Sequence, residues 1–340
     1  MMGPFIYTVT MCLAWIVITP FARSVTEFRG QNILHLTLSA HKLGLFNKPA
    51  PSGLSYLCHI NFSKENLDKM KKTVLVTGAS AGIGRATAIY LAQNGYHVYG
   101  AARRTDKMED LKSHGIKPIA LDVTKDDSVV ACVNQILQEA GSVDILVNNA
   151  GFGQEGAIED ISMEDARYQL EVNVFGAMRL AQLVLPKMRE NKYGKIVNIS
   201  SVGGKIAFPL GGWYHASKFA LEALSDSMRS EVKQFGIDVI VVEPGATRSE
   251  WGSVATDILM KVSGHTAYKD LAAKTHNVFN RLNKDIAEPE VIAKLVRSGI
   301  EARSPKTRYT TSQMASSLLL FLRRILSDKQ MDRLIMSQIR

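Results

Sequence analysis

The chain has 340 residues, 46% of them hydrophobic, which is enough to build the core of one large domain or of two smaller ones. The formal net charge of +9 comes almost wholly from the two ends of the chain, with +3 in residues 1–69 and +5 in residues 301–340. The part between them is nearly neutral and has no nucleic-acid-binding motif. We therefore expect no nucleic-acid partner. The spacing of the three cysteines, Cys12, Cys58 and Cys132, is that of neither a disulfide framework nor a set of metal ligands. This excludes a disulfide-rich secreted protein and predicts no metal site. It also favours a location in the cytoplasm.

Residues 1–69 form an N-terminal extension that differs from the rest of the chain. No charged residue occurs between Met1 and Pro20, but the apolar run in residues 4–20 is borderline for crossing a membrane, which takes about 20 residues. It also lacks the basic start and small-residue cleavage site of a secretory signal. Residues 21–69 show no sustained periodicity, so no fold is predicted there. Three alternatives stay open for the extension: a membrane anchor, a disordered segment, or a segment outside the functional protein, which would then start at Met70.

From residue 73 onward, short β-rich runs alternate with stretches of helical period. The predicted strands are residues 73–77, 96–101, 117–121, 143–147, 195–200 and 237–242. Strands that alternate with helices at this spacing predict βαβ units and a doubly wound parallel sheet, in one α/β domain of residues 70–300. Such a sheet binds its ligand beyond the carboxyl ends of its strands.

The first predicted strand runs directly into a glycine-rich turn that opens a helix. Gly78 permits the tight turn, Gly82 lets the backbone approach a pyrophosphate, and Gly84 lets the helix pack closely on the sheet. The N-terminus of the helix offers free N–H groups to phosphate. A Rossmann-type dinucleotide site is therefore predicted, with Ser80 and Ile83 as further contacts.

The end of the second strand indicates which dinucleotide binds. An acidic residue there would hold the ribose 2′-hydroxyl of NAD and repel the 2′-phosphate of NADP. This chain has Ala102 at that point, followed by Arg103 and Arg104, which can donate charge-assisted hydrogen bonds to a phosphate. NADP is therefore predicted in preference to NAD, the alternative being two solvated arginines at the start of a polar helix.

A tyrosine and a lysine lie four residues apart in a predicted helix after the loop Gly211-Gly212. Reduction of a carbonyl needs a proton at oxygen as hydride reaches carbon, and a phenol next to a cation suits that task. Tyr214 and Lys218 share one face of the helix, so Lys218 is expected to lower the pKa of Tyr214 and to hold the nicotinamide ribose. His215 points about 100° away around the helix and is expected to be structural.

These motifs together resemble the short-chain dehydrogenase/reductase family, over residues 72–251. Thr77 before the G-x-x-x-G-x-G turn, the N-N-A-G run of residues 148–151, the L-D-V-T run of residues 121–124 and the Y-x-x-x-K pair carry the resemblance. It implies that Asp122 and Val123 contact the adenine. It also implies that Asn149, Ala150 and Gly151 lie against the adenosine half of the cofactor.

The same resemblance implies the remaining site residues. Ser201, thirteen residues before Tyr214, has the spacing of the family's second hydroxyl donor, with Ser200 as the fallback. Asn173 resembles the asparagine that steadies a water linked to the lysine. Pro244, Gly245 and Thr247 resemble the segment that lines the nicotinamide pocket and leads into a lid, here residues 252–285.

Residues 301–340 form a basic, apolar and helical tail. The tail can pack beside the substrate pocket, join two subunits or lie on a membrane surface. With residues 250–252 it resembles the 17-beta-hydroxysteroid-dehydrogenase-like branch of the family, which implies a small apolar carbonyl or alcohol substrate. Homodimers or homotetramers through the helices at residues 163–191 and 214–235 are implied by the same resemblance.

The sequence therefore predicts an NADP-dependent oxidoreductase that moves a hydride to or from a carbonyl or alcohol carbon. Two other hypotheses stay open. One is a catalytically idle dinucleotide-binding protein with a regulatory or scaffold role. The other is a membrane-anchored enzyme of lipids or sterols, which would use residues 4–20.

Overall fold

The computed structural model describes residues 71–248, 250–282, 286–311 and 314–339, and three strands before residue 71. The chain divides into two compact units, residues 1–70 and 71–340. In the first unit, β1 (Val25–Glu27), β2 (Ile33–Leu38) and β3 (Tyr56–Asn61) form an antiparallel sheet in that order. The sequence predicted no strands here, because pairing between residues up to 28 positions apart leaves little local signal. The candidate anchor at residues 4–20 lies outside the described residues.

The second unit is built on a seven-stranded, fully parallel sheet in the order β10-β9-β8-β7-β4-β5-β6. Its strands are β4 (Thr73–Thr77), β5 (His97–Ala102), β6 (Lys117–Ala120), β7 (Ile145–Asn148), β8 (Gly194–Ile199), β9 (Ile237–Glu243) and β10 (Arg308–Thr310). The six predicted strands are confirmed to within about two residues at each end. β10 was not predicted, because three residues, two of them polar, carry no recognisable period.

Helices cover both faces of this sheet, as the predicted α/β class requires. Their bounds are α1 (Gly82–Gln93), α2 (Asp126–Ala140), α3 (Met163–Leu170), α4 (Gly176–Glu190), α5 (Gly212–Val232), α6 (Glu250–Ser263), α7 (Lys269–Leu282), α8 (Pro289–Glu301), α9 (Met314–Ile325) and α10 (Asp328–Gln338). One core lies between the sheet and α2, α4 and α5, and the other lies between the sheet and α1 and α8.

The alternation of side chains along β4 explains why both faces must be covered. Leu75 packs into the first core, while Val74 and Val76 pack into the second. All five residues of the strand are buried, as expected for an inner strand of a parallel sheet. The order of the strands reverses at β4, between β5 and β7, so the fold opens its ligand cleft at the carboxyl ends of β4 and β7.

The lid and tail segments are largely helical where the structure describes them, and the tail also contains β10. α6 and α7 occupy most of the predicted lid, of which residues 283–285 lie outside the described part. In the tail, Met331 and Ile335 of α10 pack against Val202 and Ile206, which follow β8. Among the helices described, none is both long enough and apolar enough to cross a bilayer.

Candidate active site

The glycine turn after β4 has the backbone that the sequence predicted. Gly78 and Gly82 have φ angles of 69° and 53°, in the left-handed region that favours glycine. A Cβ at Gly84 would collide with the carbonyl oxygen of Gly78, so a side chain there would push the helix away from the turn. The N-cap residue Ala81 supplies no side-chain acceptor, and the first turn of α1 has no acidic residue. The N–H groups of this helix end therefore remain available to a pyrophosphate.

The Asn149 side chain lies behind the turn and holds it in place. Asn149 Nδ2 donates to Thr77 O at 2.9 Å, and the backbone N–H groups of Asn149 and Ala150 both donate to Thr77 Oγ1 at 3.0 Å. These bonds tie the carboxyl end of β7 to that of β4. Support of the turn is thus the role that the geometry gives to Asn149, and its predicted contact with the adenosine stays a prediction.

Two arginines stand at the carboxyl end of β5, where a 2′-phosphate would be recognised. Arg104 Nη2 donates to Ser80 Oγ in the glycine turn at 3.3 Å, and Arg103 Nη1 donates to the hydroxyl of Tyr168 at 2.8 Å. Both arginines are exposed, whereas Ala102 is buried. These side chains fit a phosphorylated ribose, since they bring two cations and a hydroxyl to the edge of the cleft.

The turn after β6 presents Asp122 to the same cleft. Asp122 Oδ1 accepts hydrogen bonds from the Thr124 backbone and hydroxyl at 3.0 and 2.8 Å. Burial acts to raise the pKa of Asp122, but these bonds, with the charges of Arg103 and Lys125, hold that pKa below its usual range. The carboxylate is therefore ionised and held rigidly, as an acceptor for an amino group must be. Val123 packs behind it against Gly176.

The predicted proton donor and its hydroxyl partner meet beyond β8. Ser201 lies just after β8 in an extended conformation, and Tyr214 lies in the first turn of α5. Burial raises the pKa of Tyr214, a hydrogen bond with the Ser201 side chain opposes this rise, and the charge of Glu155 adds to it. Burial and Glu155 make the net shift a rise, and the lowering of this pKa that was expected from Lys218 stays a prediction. Ser200, the fallback residue, has its hydroxyl buried without a hydrogen-bond partner among the described residues.

Lys218 lies one turn after Tyr214 and is almost completely buried. Its Nζ donates to Ile199 O, at the end of β8, at 2.8 Å. Burial lowers the pKa of Lys218 to about 8, although the carboxylate of Glu222 acts to raise it. A Cβ at Gly151 would lie 3.7 Å from Lys218 Nζ, so the absence of a side chain at Gly151 keeps the space beside the amine open. Lys218 is thus held between β8 and the loop after β7.

Asn173 lies in a five-residue π-helical segment, Glu171–Phe175, between α3 and α4. Its Oδ1 accepts from Phe152 N at 3.1 Å, and its Nδ2 donates to Phe152 O and to Ser217 Oγ, both at 3.0 Å. The asparagine therefore joins the loop after β7 to α5. π-Helical turns of this kind occur often at functional sites. The water-steadying role implied for Asn173 stays a prediction.

The segment after β9 is tied to the C-terminal strand. Gly245 N donates to the hydroxyl of the buried Thr311, just beyond β10, at 3.1 Å. Thr247 Oγ1 donates to Gly245 O at 3.0 Å, and Pro244 O accepts from Val202 N at 3.0 Å. The three predicted nicotinamide-side residues therefore lie next to the loop that carries Ser201.

Two features of the site were not foreseen from the sequence. Glu155, in the loop after β7, is 4% exposed and acts electrostatically on Tyr214. The second feature is a buried ionic network in which Arg308 of β10 contacts Glu222 and Glu243. Neither had a local signal, because charged residues in loops and short strands usually face solvent.

Comparisons with known proteins agree with this geometry. A family model described as short chain dehydrogenase matches residues 72–257. The 3-ketodihydrosphingosine reductase of Bacteroides thetaiotaomicron is 32% identical over 76% of this chain and 94% of its own length. The NADPH-dependent 3-dehydrocapnine reductase of Ornithobacterium rhinotracheale is 30% identical over 78% of this chain and 96% of its own.

A solved structure is also similar. The short-chain dehydrogenase from Streptomyces avermitilis shares 35% identity with this chain at a TM-score of 0.65, over 74% of this chain and 91% of that one. The residues matched by the family model, 72–257, include the glycine turn and the helix that carries Tyr214. The chain therefore belongs to the short-chain dehydrogenase family of oxidoreductases.

Proposed function

We propose that this chain is an NADP-dependent oxidoreductase that interconverts an apolar carbonyl compound and its alcohol, with Tyr214 as the general acid and base. The observation that carries the proposal is the hydrogen bond between Ser201 and Tyr214, one helical turn from the buried amine of Lys218. All three lie beyond the carboxyl end of β8, close to the cleft that the glycine turn opens at β4 and β7.

The reduced nicotinamide, when bound, supplies the hydride. Tyr214 gives its phenolic proton to the substrate oxygen as negative charge develops there, and the Ser201 hydroxyl donates to the same oxygen. Because burial raises the pKa of Tyr214, the phenol keeps its proton at neutral pH and starts the reduction as an acid. In the opposite direction the Tyr214 phenolate accepts the proton of the alcohol.

In this proposal Lys218 and Asn173 support the proton transfer by Tyr214. The Lys218 ammonium stabilises the phenolate that forms when Tyr214 has lost its proton, and it binds the ribose next to the nicotinamide. A pKa of about 8 leaves the amine close to its titration point, so it can pass a proton towards Tyr214. Asn173 keeps the loop and helix around this amine in register through its bonds to Phe152 and Ser217.

The choice of NADP rests on Arg103 and Arg104 at the end of β5. One of the similar proteins is named as NADPH-dependent and two are named as reductases. These names support NADP as the cofactor and reduction as the direction of the reaction. A small apolar substrate remains the expectation from the sequence. Assembly into dimers or tetramers through α3, α4 and α5 is also part of the proposal.

The test is the full-length chain with NADPH and a panel of aliphatic aldehydes and ketones. Tyr214→Phe should lower kcat by at least about a hundredfold, the lower end of a general-acid contribution, while the Kd for NADPH stays within about twofold. Tyr193→Phe is the control and should keep full activity. Tyr193 lies just before β8, at the amino ends of the strands and away from the cleft. Equal activity of Tyr214→Phe and the wild type would refute the assignment. Tight NADPH binding with no turnover of any carbonyl would instead favour the idle dinucleotide-binding protein.

A further inference from the structure

The loop after β7 holds Glu155 between three fixed points. Gln154 N donates to Gln169 Oε1 at 2.6 Å, Gly156 N donates to Leu210 O at 2.6 Å, and Ala157 N donates to Ser263 Oγ at 2.9 Å. These partners belong to α3, to the loop before α5 and to the end of α6. The backbone on both sides of Glu155 is therefore fixed, and so is the direction of its Cα–Cβ bond.

The Glu155 carboxyl has no partner in the part of the chain that the structure describes. It is 4% exposed, and burial is the only influence on its pKa, with no hydrogen bond or ion pair there. Burial alone raises its pKa to about 8. An unpaired carboxyl in such a place lowers the stability of the fold, so its presence next to Tyr214 calls for a functional reason.

A second acceptor faces the same space from the first turn of α5. His215 Nδ1 lies 2.9 Å from Gly203 O, and because a carbonyl only accepts, Nδ1 carries the proton. Burial lowers the pKa of His215, so the ring is neutral and its Nε2 offers a lone pair.

Gly211, the N-cap of α5, shows how close the two acceptors are. A Cβ added at Gly211 would lie 2.7 Å from His215 Nε2 and 2.9 Å from Glu155 Oε2. Both acceptors therefore lie close to Gly211, and a side chain at that position would fill the space next to them. Tyr214, the neighbour of His215 in the chain, is close enough to Glu155 for the carboxylate to raise the pKa of its phenol.

We propose that Glu155 and His215 Nε2 form a subsite for an ammonium group that the substrate carries one or two carbons from its reacting carbonyl. The substrate class is then an amino ketone or amino alcohol, and this assignment rests on the oxidoreductase function proposed above. An ammonium group has three donors and a positive charge, so it satisfies both acceptors at once. A hydroxyl has one donor and no charge, and would leave one acceptor unsatisfied.

The same contact would prepare Tyr214 for catalysis. The charge of Glu155 adds to the burial that raises the pKa of the phenol. Above about pH 8, where Glu155 is ionised, an ammonium group next to it offsets that charge and so favours the phenolate that forms when Tyr214 gives up its proton. A substrate with the amine would thus be bound more tightly and turned over faster than the same carbonyl compound without it.

The experiment compares alcohols that differ only in the amine, with the full-length chain and NADP. The aminated probes are 1-aminodecan-2-ol and 1-aminodecan-3-ol, and the matched probes are decan-2-ol, decan-3-ol and decane-1,2-diol. Wild-type kcat/KM should be about ten to a hundred times higher for the better aminated probe, the range expected for a hydrogen bond to a charged group. Glu155→Gln should remove this preference, so that kcat/KM becomes similar for the aminated and unaminated alcohols. Glu164→Gln, an exposed carboxylate on α3, is the matched control and should keep the preference.

Binding separates the subsite from the chemistry. Calorimetric titration of 1-aminodecan-2-ol into the NADP-loaded chain should give a Kd that rises at least about tenfold in Glu155→Gln. An unchanged Kd, or equal rates with the diol and the aminated probes, would overturn the ammonium subsite and leave the oxidoreductase function intact. If no alcohol is oxidised while binding still depends on Glu155, the subsite stands and the proposed chemistry fails.

If Glu155 had a purely structural role, its replacement would lower the melting temperature of the fold. The subsite predicts no such loss. Glu155→Gln and Glu155→Leu should both have a melting temperature at pH 8 equal to or above that of the wild type, because each removes an unpaired buried carboxyl. A clear fall in the melting temperature of both variants would show that Glu155 supports the fold, and would overturn the subsite.

Discussion

Arg308 Nε donates to Glu222 Oε2 at 3.0 Å and so joins the last strand of the sheet to the helix that carries Tyr214 and Lys218. The same guanidinium lies 2.8 Å from Asp226 and 3.3 Å from Glu243. Glu222 follows Lys218 by one helical turn and acts to raise its pKa. The C-terminal strand therefore balances the charges directly behind the proposed catalytic helix.

Loss of Arg308 should destabilise the fold strongly. In Arg308→Met the carboxylates of Glu222 and Glu243, each 3% exposed, lose a shared cation, and the loss of one partner from a buried ion pair costs about 3–5 kcal/mol. Lys205 still contacts Glu222, at 2.8 Å, so we expect a value near the lower end of that range. The free energy of unfolding in urea measures the effect.

The matched control for Arg308 is Arg297→Met. Arg297 pairs with Glu301 one turn further along α8, where both side chains are partly solvated. Such surface pairs contribute at most about 1 kcal/mol. Equal destabilisation by the two variants would show that the network around Arg308 is no more important than a surface contact.

The two neighbouring serines after β8 should differ sharply in activity. Ser201→Ala removes the hydroxyl that bonds to Tyr214, and loss of one oxyanion donor costs about a hundredfold to a thousandfold in kcat. The Ser201 hydroxyl also lowers the pKa of Tyr214, so the pH profile of the variant should shift towards higher pH. Ser200→Ala should change kcat by less than about threefold, because the loss of a hydroxyl without a partner removes no contact with Tyr214. The reverse order would make Ser200 the second donor.

The two arginines at the end of β5 should determine the choice of cofactor. Replacement of both Arg103 and Arg104 by alanine should raise the Kd for NADPH by at least about tenfold and change that for NADH little, since only NADPH carries the 2′-phosphate. Fluorescence titration of the two cofactors measures the change. Arg179→Ala, which breaks a surface pair with Asp126, is the control. An equal loss of affinity for NADPH and NADH would mean that the arginines do not bind the 2′-phosphate.

Glu155 should make the stability of the fold depend on pH. Its pKa is about 8 in the folded chain against an ordinary value of 4.5, so between these values the unfolded chain has released a proton that the folded chain still holds. The contribution of Glu155 to the free energy of unfolding is fully present below pH 4.5 and is lost as the pH rises to about 8. Above that pH it does not change further. Relative to Glu155→Gln, the wild type should lose about 3 to 5 kcal/mol over this range.

Urea unfolding of both proteins across that range of pH checks the prediction. Two titratable groups face the carboxyl, Tyr214 and His215, and both are present in the two proteins. Their contributions therefore largely cancel in the difference between the two proteins. Parallel curves for the wild type and Glu155→Gln would mean that Glu155 is ionised in the folded chain.

The sequence by itself determined the parts of the protein that depend on local spacing. The glycine turn, the Tyr214 and Lys218 pair and the alternation of strands and helices are each set by residues a few positions apart. Periodicity and turn chemistry act over that range, so these features could be predicted before the fold was known. The family resemblance added Ser201 and Asn173.

The tertiary structure decided what depends on burial and on distant partners. Glu155 is an ordinary charged residue in the sequence, and only the packing of its loop against α3, α6 and the loop before α5 isolates it from solvent. Arg308 lies 86 residues from Glu222, and no local pattern relates them. The pKa of Tyr214 depends on how completely water is excluded, and this is a property of the whole fold.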